Sequence, residues 1–198
     1  MKKALATLLT ISVLFIMGGI NYPSLQADET EFSLIDYLET HEINSYEEFL
    51  DVIEIVSPES IESENEDPGS VTFFDLDIDH DNMMVSVLTM DDVLHDRSHV
   101  ASSSATKSYY SDNGYKIFTI KIVGTFNYST GSCNTTSASG SYTRAPLSSW
   151  TSTPTISAGH ITPSKAYARI SGNAVNGSNS TSYSLTLTCN DSGAFGSY

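Results

Sequence analysis

The sequence has few cations, and a long stretch of it has none. It contains 24 Asp and Glu residues against 9 Lys and Arg, which gives a formal net charge of −15. No Lys or Arg occurs between residues 28 and 96, and every acidic residue except Asp112 and Asp191 lies there. Because such a chain lacks the concentrated basic surface that nucleic acids require, we expect no nucleic-acid partner.

Residues 97–198 have the opposite balance, with seven basic side chains and only two acidic ones. This asymmetry suggests that the two parts have different partners, or that each part is the partner of the other. Since the acids outnumber every basic group available, we expect the segment 28–67 to be held loosely, if at all.

Recognisable catalytic motifs are absent as well. The chain has no Gly-x-Ser-x-Gly elbow, phosphate-binding loop, dinucleotide fingerprint or His-Glu-x-x-His pattern. An enzyme is therefore possible only through a site of unrecognised type, and the sequence predicts no catalytic residue.

Long apolar runs are confined to the N-terminus. Lys2 and Lys3 precede an uncharged run over residues 4–20, which is typical of a signal peptide. A cut after Ala27 would release a secreted chain, and no Cys lies near it to carry a lipid anchor. The alternative is an uncleaved segment that anchors the chain in the membrane.

The acidic segment 28–69 is predicted to hold two short helices and a linker. The first helix is indicated by Phe32, Leu34, Ile35 and Leu38 at roughly helical spacing. Ser45 and Glu48 have the spacing of a capping box at the start of the second helix. Its apolar stripe would be Phe49, Val52, Ile53 and Val56. Residues 59–69 have the composition of a solvated linker.

Alternating patterns predict strands from residue 71 onward. We interpret residues 70–96 as an acidic β-hairpin, residues 97–114 as a Ser-rich connection that could include a short strand, and residues 115–198 as the principal β-sandwich domain. There the even positions of the run 116–128 are mostly apolar, and a polar strand over 133–142 is expected at a sheet edge. The predicted fold is mainly β: a C-terminal antiparallel β-sandwich or barrel-like domain preceded by a short acidic helical segment.

The only two cysteines, Cys133 and Cys189, lie in separate predicted strands. In an exported protein a disulfide between them is the default expectation, and it would stabilise the fold by about 4 kcal/mol. The alternative is that Cys133 is a nucleophile served by His160, which requires a free and activated thiol.

Two groups of residues could bind metals. Asp75, Asp77, Asp79 and Asp81 resemble the opening of a calcium loop, although His80 replaces its Gly and Ser86 its bidentate Glu. A solvated acidic face is the other interpretation, and no other cofactor is predicted. His95 and His99 would share a helix face beside Asp96, where zinc could bind, or they belong to a soluble connection.

Tyrosines concentrate in the last ninety residues, where they could stack on sugars, anchor a protein partner or fill the core. These are Tyr109, Tyr110, Tyr115, Tyr128, Tyr142, Tyr167, Tyr183 and Tyr198, together with Trp150.

One resemblance accompanies these features. Residues 124–128 (Gly-Thr-Phe-Asn-Tyr), Cys133, Trp150, residues 184–189 (Ser-Leu-Thr-Leu-Thr-Cys) and Gly193 resemble the C-terminal domain of uncharacterised secreted proteins of Gram-positive bacteria. The likeness covers about residues 109–198. It implies a secreted β-domain and no particular activity.

Two functions remain open. The first is an extracellular binding or surface-interaction module, whose partner would be a protein or a glycan. The second is a cationic, antimicrobial-like effector whose acidic pro-segment is removed near Arg97 or Lys107. We favour the module because a few cations spread over a hundred residues are weak for attacking membranes.

The intact mass of the exported protein distinguishes these two functions. We expect a chain that begins at Asp28, because only the signal peptide is removed. A chain that begins between residues 98 and 110 in the culture supernatant would instead support the pro-segment.

Overall fold

The computed structural model describes residues 32–56, 71–96 and 99–198. The predicted signal peptide over 1–27, the predicted linker over 59–69 and Arg97 lie outside the described residues.

Both predicted helices are present. Helix α1 spans Leu34–Thr40 and helix α2 spans Tyr46–Val56. The Glu48 N–H donates to Ser45 Oγ at 3.1 Å, and Glu48 Oε2 accepts from the Asn44 N–H at 2.8 Å. The Ser45 half of the predicted capping box is therefore confirmed, whereas the Glu48 carboxylate reaches back to Asn44, one residue before Ser45.

In the described part of the chain, ten strands form two antiparallel sheets. Sheet A contains β1 (Val71–Asp79), β2 (Met84–Asp91), β3 (Leu94–Asp96), β4 (Val100–Ser111), β5 (Lys116–Ser129) and β6 (Ser132–Arg144). Its order is β1-β2-β4-β5-β6, with β3 also paired to β4. Sheet B contains β7 (Thr155–Thr162), β8 (Lys165–Asn176), β9 (Asn179–Asn190) and β10 (Phe195–Ser197), in the order β10-β9-β8-β7. The chain is mainly β, with two separate sheets rather than a closed barrel.

The acidic hairpin and the Ser-rich segment both belong to sheet A. Residues 100–111, interpreted from the sequence as a connection, form β4 between β2 and β5. Ala101, Ala105 and Tyr109 fill the buried face of this strand. On its other face, Ser102 Oγ donates to Thr125 Oγ1 at 3.0 Å. Small side chains therefore suffice here, because flanking strands and cross-strand hydroxyl pairs hold the segment extended.

The principal core lies between the two sheets. It is built from β5 residues such as Phe118, Ile120 and Ile122, which face Ile170 and Leu187 of sheet B. The alternation read over residues 116–128 is confirmed, because these side chains all point to one face. The edge position predicted for the strand after residue 132 is confirmed too, since β6 ends sheet A.

A second core lies between sheet A and the acidic helices. Leu34, Ile35, Phe49, Val52 and Ile53 are buried against Val85, Val87 and Tyr110 of the sheet. The Phe49 ring meets the Tyr110 ring edge-on, with centroids 5.1 Å apart. The expectation of a loosely held acidic segment is therefore wrong for residues 32–56, because apolar contact, not charge, holds the helices.

Polar contacts at Asp112 fix the start of α1. Asp112 Oδ1 accepts from Ser33 Oγ at 2.8 Å and from the Ile35 N–H at 2.9 Å. The Asp112 carbonyl accepts from the Leu34 N–H at 2.6 Å. One of the two acids outside the acidic stretch thus caps a helix within it.

Truncating Phe49 tests how firmly the helices are attached. We expect Phe49→Ala to lower the free energy of unfolding by about 3–5 kcal/mol, because it removes a buried ring from the second core. The exposed control Glu54→Ala should change it by less than about 0.5 kcal/mol. Urea unfolding followed by fluorescence measures both. Equal midpoints for the two variants would mean that the helices contribute nothing to the fold.

Candidate functional site

The four aspartates of the predicted calcium site lie along β1 and its turn. Asp75, Asp77 and Asp79 share the face of β1 that is directed toward the sheet B side, because they pair with Leu88, Ser86 and Met84. Asp79 accepts hydrogen bonds from the N–H and the side-chain amide of Asn82, and Asp81 is exposed in the turn. Within the described ranges no three His, Cys, Asp or Glu side chains converge as a metal would need, and calcium binding stays a prediction.

His95 and His99 do not share a helix. His95 lies in β3, and His99 lies in the turn before β4 with a φ of 61°. Both rings stand edge-on to Tyr128, and His95 Nδ1 is 3.4 Å from the Tyr128 hydroxyl. The helical arrangement proposed for zinc is therefore wrong, because residues 94–96 pair with residues 100–102 as antiparallel strands.

The two cysteines lie side by side as buried thiols between the sheets. Burial, together with the neighbouring Cys133, raises the pKa of Cys189 to about 12. His160 Nε2 lies 2.7 Å from Asn134 Oδ1. Both thiols are buried and His160 is engaged by Asn134, so the pair has the character of a structural site rather than of a nucleophile at Cys133 served by His160.

Most of the C-terminal tyrosines serve the cores. Tyr109 stacks on Phe118 at 4.3 Å, and Tyr142 stacks on Tyr183 at 6.1 Å. Burial raises the pKa of Tyr109, and the carboxylates of Asp77 and Asp79 add to that rise. These rings belong to an aromatic end of the core, which excludes them as open platforms for a ligand.

Tyr167 differs from these rings because it lies on the outer face of sheet B. Its neighbours in β8, Ala166 and Ala168, point into the core, so Tyr167 points outward. The ring lies over Gly159 of the adjacent strand β7, where an added Cβ would come within 3.2 Å of the ring. A glycine in this strand therefore provides the seat on which the aromatic ring rests.

Arg169 completes this surface beside Tyr167. Its Nε donates to Thr186 Oγ1 at 2.9 Å, and its guanidinium carbon lies 5.3 Å from the centroid of the Tyr167 ring. The guanidinium is thus held in place next to an aromatic ring, which is a cation–π geometry. We call Tyr167, Arg169 and Gly159 the Tyr167 surface.

The charge around the Tyr167 surface is positive. Strands β7 to β10 contain no Asp or Glu, whereas β8 carries Lys165 and Arg169 at alternate positions on its outer side. In a chain with a net charge of −15, this face is where an anion would meet the least repulsion. Sequence reasoning named Tyr167 among eight tyrosines but did not find its partners, because the seat at Gly159 depends on strand register.

A shallow depression lies at the other end of the molecule, between the α1–α2 loop and β1. It is lined by Leu38, His41, Glu42, Ile43, Asn44, Phe74, Asp75 and Leu76. It is open to solvent and brings together no set of groups with evident chemistry.

Comparison with known proteins adds no relative. No protein-family model, curated protein or solved structure matches this chain. None of the helices in the described part of the chain has the length and apolar run needed to cross a bilayer. The resemblance to secreted proteins of Gram-positive bacteria therefore stays a prediction.

The raised pKa of Cys189 predicts that this thiol is inert in the reduced protein. At pH 8 very little Cys189 thiolate should be present, so alkylation of Cys189 by iodoacetamide should be far slower in the folded protein than in the same protein in urea. The rate should rise as the pH approaches 12, because the thiolate is the reactive form. Equal rates in folded and unfolded protein would contradict this assignment, and mass spectrometry of the alkylated protein measures both.

Proposed function

We propose that this chain is an exported binding module whose ligand is an acidic glycan, bound at the Tyr167 surface. The observation that carries the proposal is the pairing of an outward aromatic ring with a fixed guanidinium on a sheet that has no acidic residue. Aromatic and Arg side chains dominate binding energy at protein recognition surfaces generally.

The chemistry of the two side chains selects the ligand class. The part of the Tyr167 ring that Gly159 and Arg169 leave uncovered offers apolar surface to the C–H face of a sugar ring. The guanidinium of Arg169 still has donors beyond the Nε that Thr186 engages, and these fit a carboxylate of the same saccharide. Lys165 adds a second positive charge at the same face, so longer anionic chains gain further attraction.

The remainder of the molecule favours one orientation of such a ligand. The acidic helices and β1 lie on sheet A, and sheet B carries the cations. An anionic polymer is therefore repelled by one side of the protein and attracted by the other. The predicted signal peptide would place the module outside the cell, where such polymers occur.

The alternative function, a cationic effector freed from an acidic pro-segment, has less support. Lys107 lies within β4, so cleavage there would cut a central strand of sheet A. Removal of residues 28–96 would also strip away β1, β2 and both helices, which would expose Tyr110.

Export would also change the thiol pair. We propose that Cys133 and Cys189, adjacent and buried, are oxidised to a disulfide once the chain leaves the cytoplasm. The bond would join β6 of sheet A to β9 of sheet B across the core. The intact mass of the exported chain, lower by two hydrogen atoms under non-reducing conditions, reports it.

Affinity electrophoresis in gels containing polygalacturonate tests the proposed ligand class. We expect retardation of the wild type that Tyr167→Ala weakens by about tenfold in affinity, equivalent to about 1.4 kcal/mol. Arg169→Lys should weaken it as well, because an ammonium cannot reproduce the planar fork. Gels containing neutral dextran should retard none of these proteins.

The matched control is Tyr115→Ala, which removes an exposed tyrosine from the β4–β5 turn. It should leave binding unchanged. If Tyr115→Ala and Tyr167→Ala have the same effect, or if polygalacturonate does not retard the wild type, the Tyr167 surface is not an acidic-glycan site.

A further inference from the structure

The two sheets end in strands that differ in how they are protected from pairing with other chains. Strands β6 and β7 end sheets A and B on one flank, where His160 of β7 meets Asn134 of β6 at 2.7 Å. Strands β1 and β10 end the sheets on the opposite side. We call the β6–β7 side the open flank and the β1–β10 side the guarded flank.

The guarded flank has two devices that prevent pairing between sheet edges. Strand β1 carries Asp75, Asp77 and Asp79 at alternate positions on its sheet B side, and strand β10 has only 3 residues. Charged side chains along an edge and a short edge strand are both recognised means by which proteins avoid strand addition.

The open flank lacks both devices. Strand β6 has 13 residues and β7 has 8, and neither contains a Pro, Asp, Glu or Lys. The one cation of this pair of strands is Arg144, at the end of β6. Among the residues that the structure describes, the backbone of β7 pairs only with β8, so the outward row of its peptide groups has no strand beside it.

Apolar side chains are also exposed on the open flank. Ile156 pairs with the fully buried Ile170, which places it on the inner face of sheet B, yet it is 41% exposed. Ala158 pairs with the fully buried Ala168 and is likewise exposed. The inner face of β7 therefore extends past the cover that sheet A provides, and a strand added beside β7 would place its own side chains next to Ile156 and Ala158.

We propose that the open flank is a self-association surface at which β7 pairs antiparallel with β7 of a second copy of this chain. Sheet B of one copy would continue into sheet B of the other about a twofold axis. The peptide groups of the two edges would satisfy one another, and the exposed Ile156 and Ala158 side chains would gain cross-strand neighbours from the second copy.

The neutral composition of β7 makes a second copy of the same strand a suitable occupant. Two chains with a net charge of −15 repel each other across most of their surfaces, but β7 carries no acidic or basic residue other than His160. Small, neutral side chains oppose one another in such a pair, so no like charges meet. Because a twofold pairing of β7 with β7 uses the free edge of sheet B in both copies, this association closes at a dimer.

Sedimentation equilibrium of the full exported chain tests the proposal. We expect a concentration-dependent monomer–dimer equilibrium for the wild type. Ala158→Lys places a charge on the pairing edge and should raise the dissociation constant of the dimer by about tenfold or more. The matched control Ala194→Lys adds the same charge in the exposed turn before β10 and should leave the constant unchanged.

A second variant tests the asymmetry between the flanks. Removing two of the charges that protect the β1 edge, with Asp75→Ser and Asp77→Ser together, should allow association beyond the dimer at high protein concentration. A wild type that stays monomeric into the millimolar range would overturn the proposal, and so would an unchanged dimer in Ala158→Lys. Circular dichroism of each variant establishes that the fold is retained, so a folded but monomeric Ala158→Lys supports the interface.

Discussion

Burial of β2 on both of its faces is the constraint on which the rest of the structure depends. Met84 and Leu88 enter the core between the sheets, whereas Val85 and Val87 enter the core beneath the helices. Because the strand is covered on both sides, every residue from Met84 to Leu88 is buried. Such a strand needs mostly apolar residues at consecutive positions. The acidic segment is consequently part of the fold, because its helices supply half of the cover that this strand requires.

Attraction between the acidic residues 28–96 and the basic residues 97–198 does not hold these two parts of the chain together. The ion pair between Lys121 and Asp91, at 3.8 Å, joins side chains that are each almost half exposed. Such a pair contributes little because water and salt screen it. The charge boundary between these parts instead distributes charge over different surfaces: acids cover the helices and β1, and sheet B keeps a face with cations alone.

Local sequence patterns predict the elements that have a characteristic capping residue or a regular alternation of apolar side chains. Ser45 and Glu48 mark the start of α2 in the sequence, and the alternation over residues 116–128 predicts β5. The sequence does not predict the full length of β4, because its Ser and Ala residues are compatible with either a loop or a strand, and only pairing with β2 and β5 decides between them. The same limit applies to the candidate site. Gly159 and Tyr167 meet through the register of β7 and β8, which no window of neighbouring residues reveals.

The seat at Gly159 connects the proposed site to the proposed interface. Tyr167 rests on a residue of β7, and β7 is the strand whose other edge is unprotected. If two copies pair through β7, the two Tyr167 rings lie on one continuous outer face, separated by three strand spacings or roughly 14 Å. A polymer long enough to reach both rings would bind with the avidity of two linked sites. Strand pairing would thus convert a small, weak surface on each copy into an extended one, without any additional contact from the helices or from sheet A.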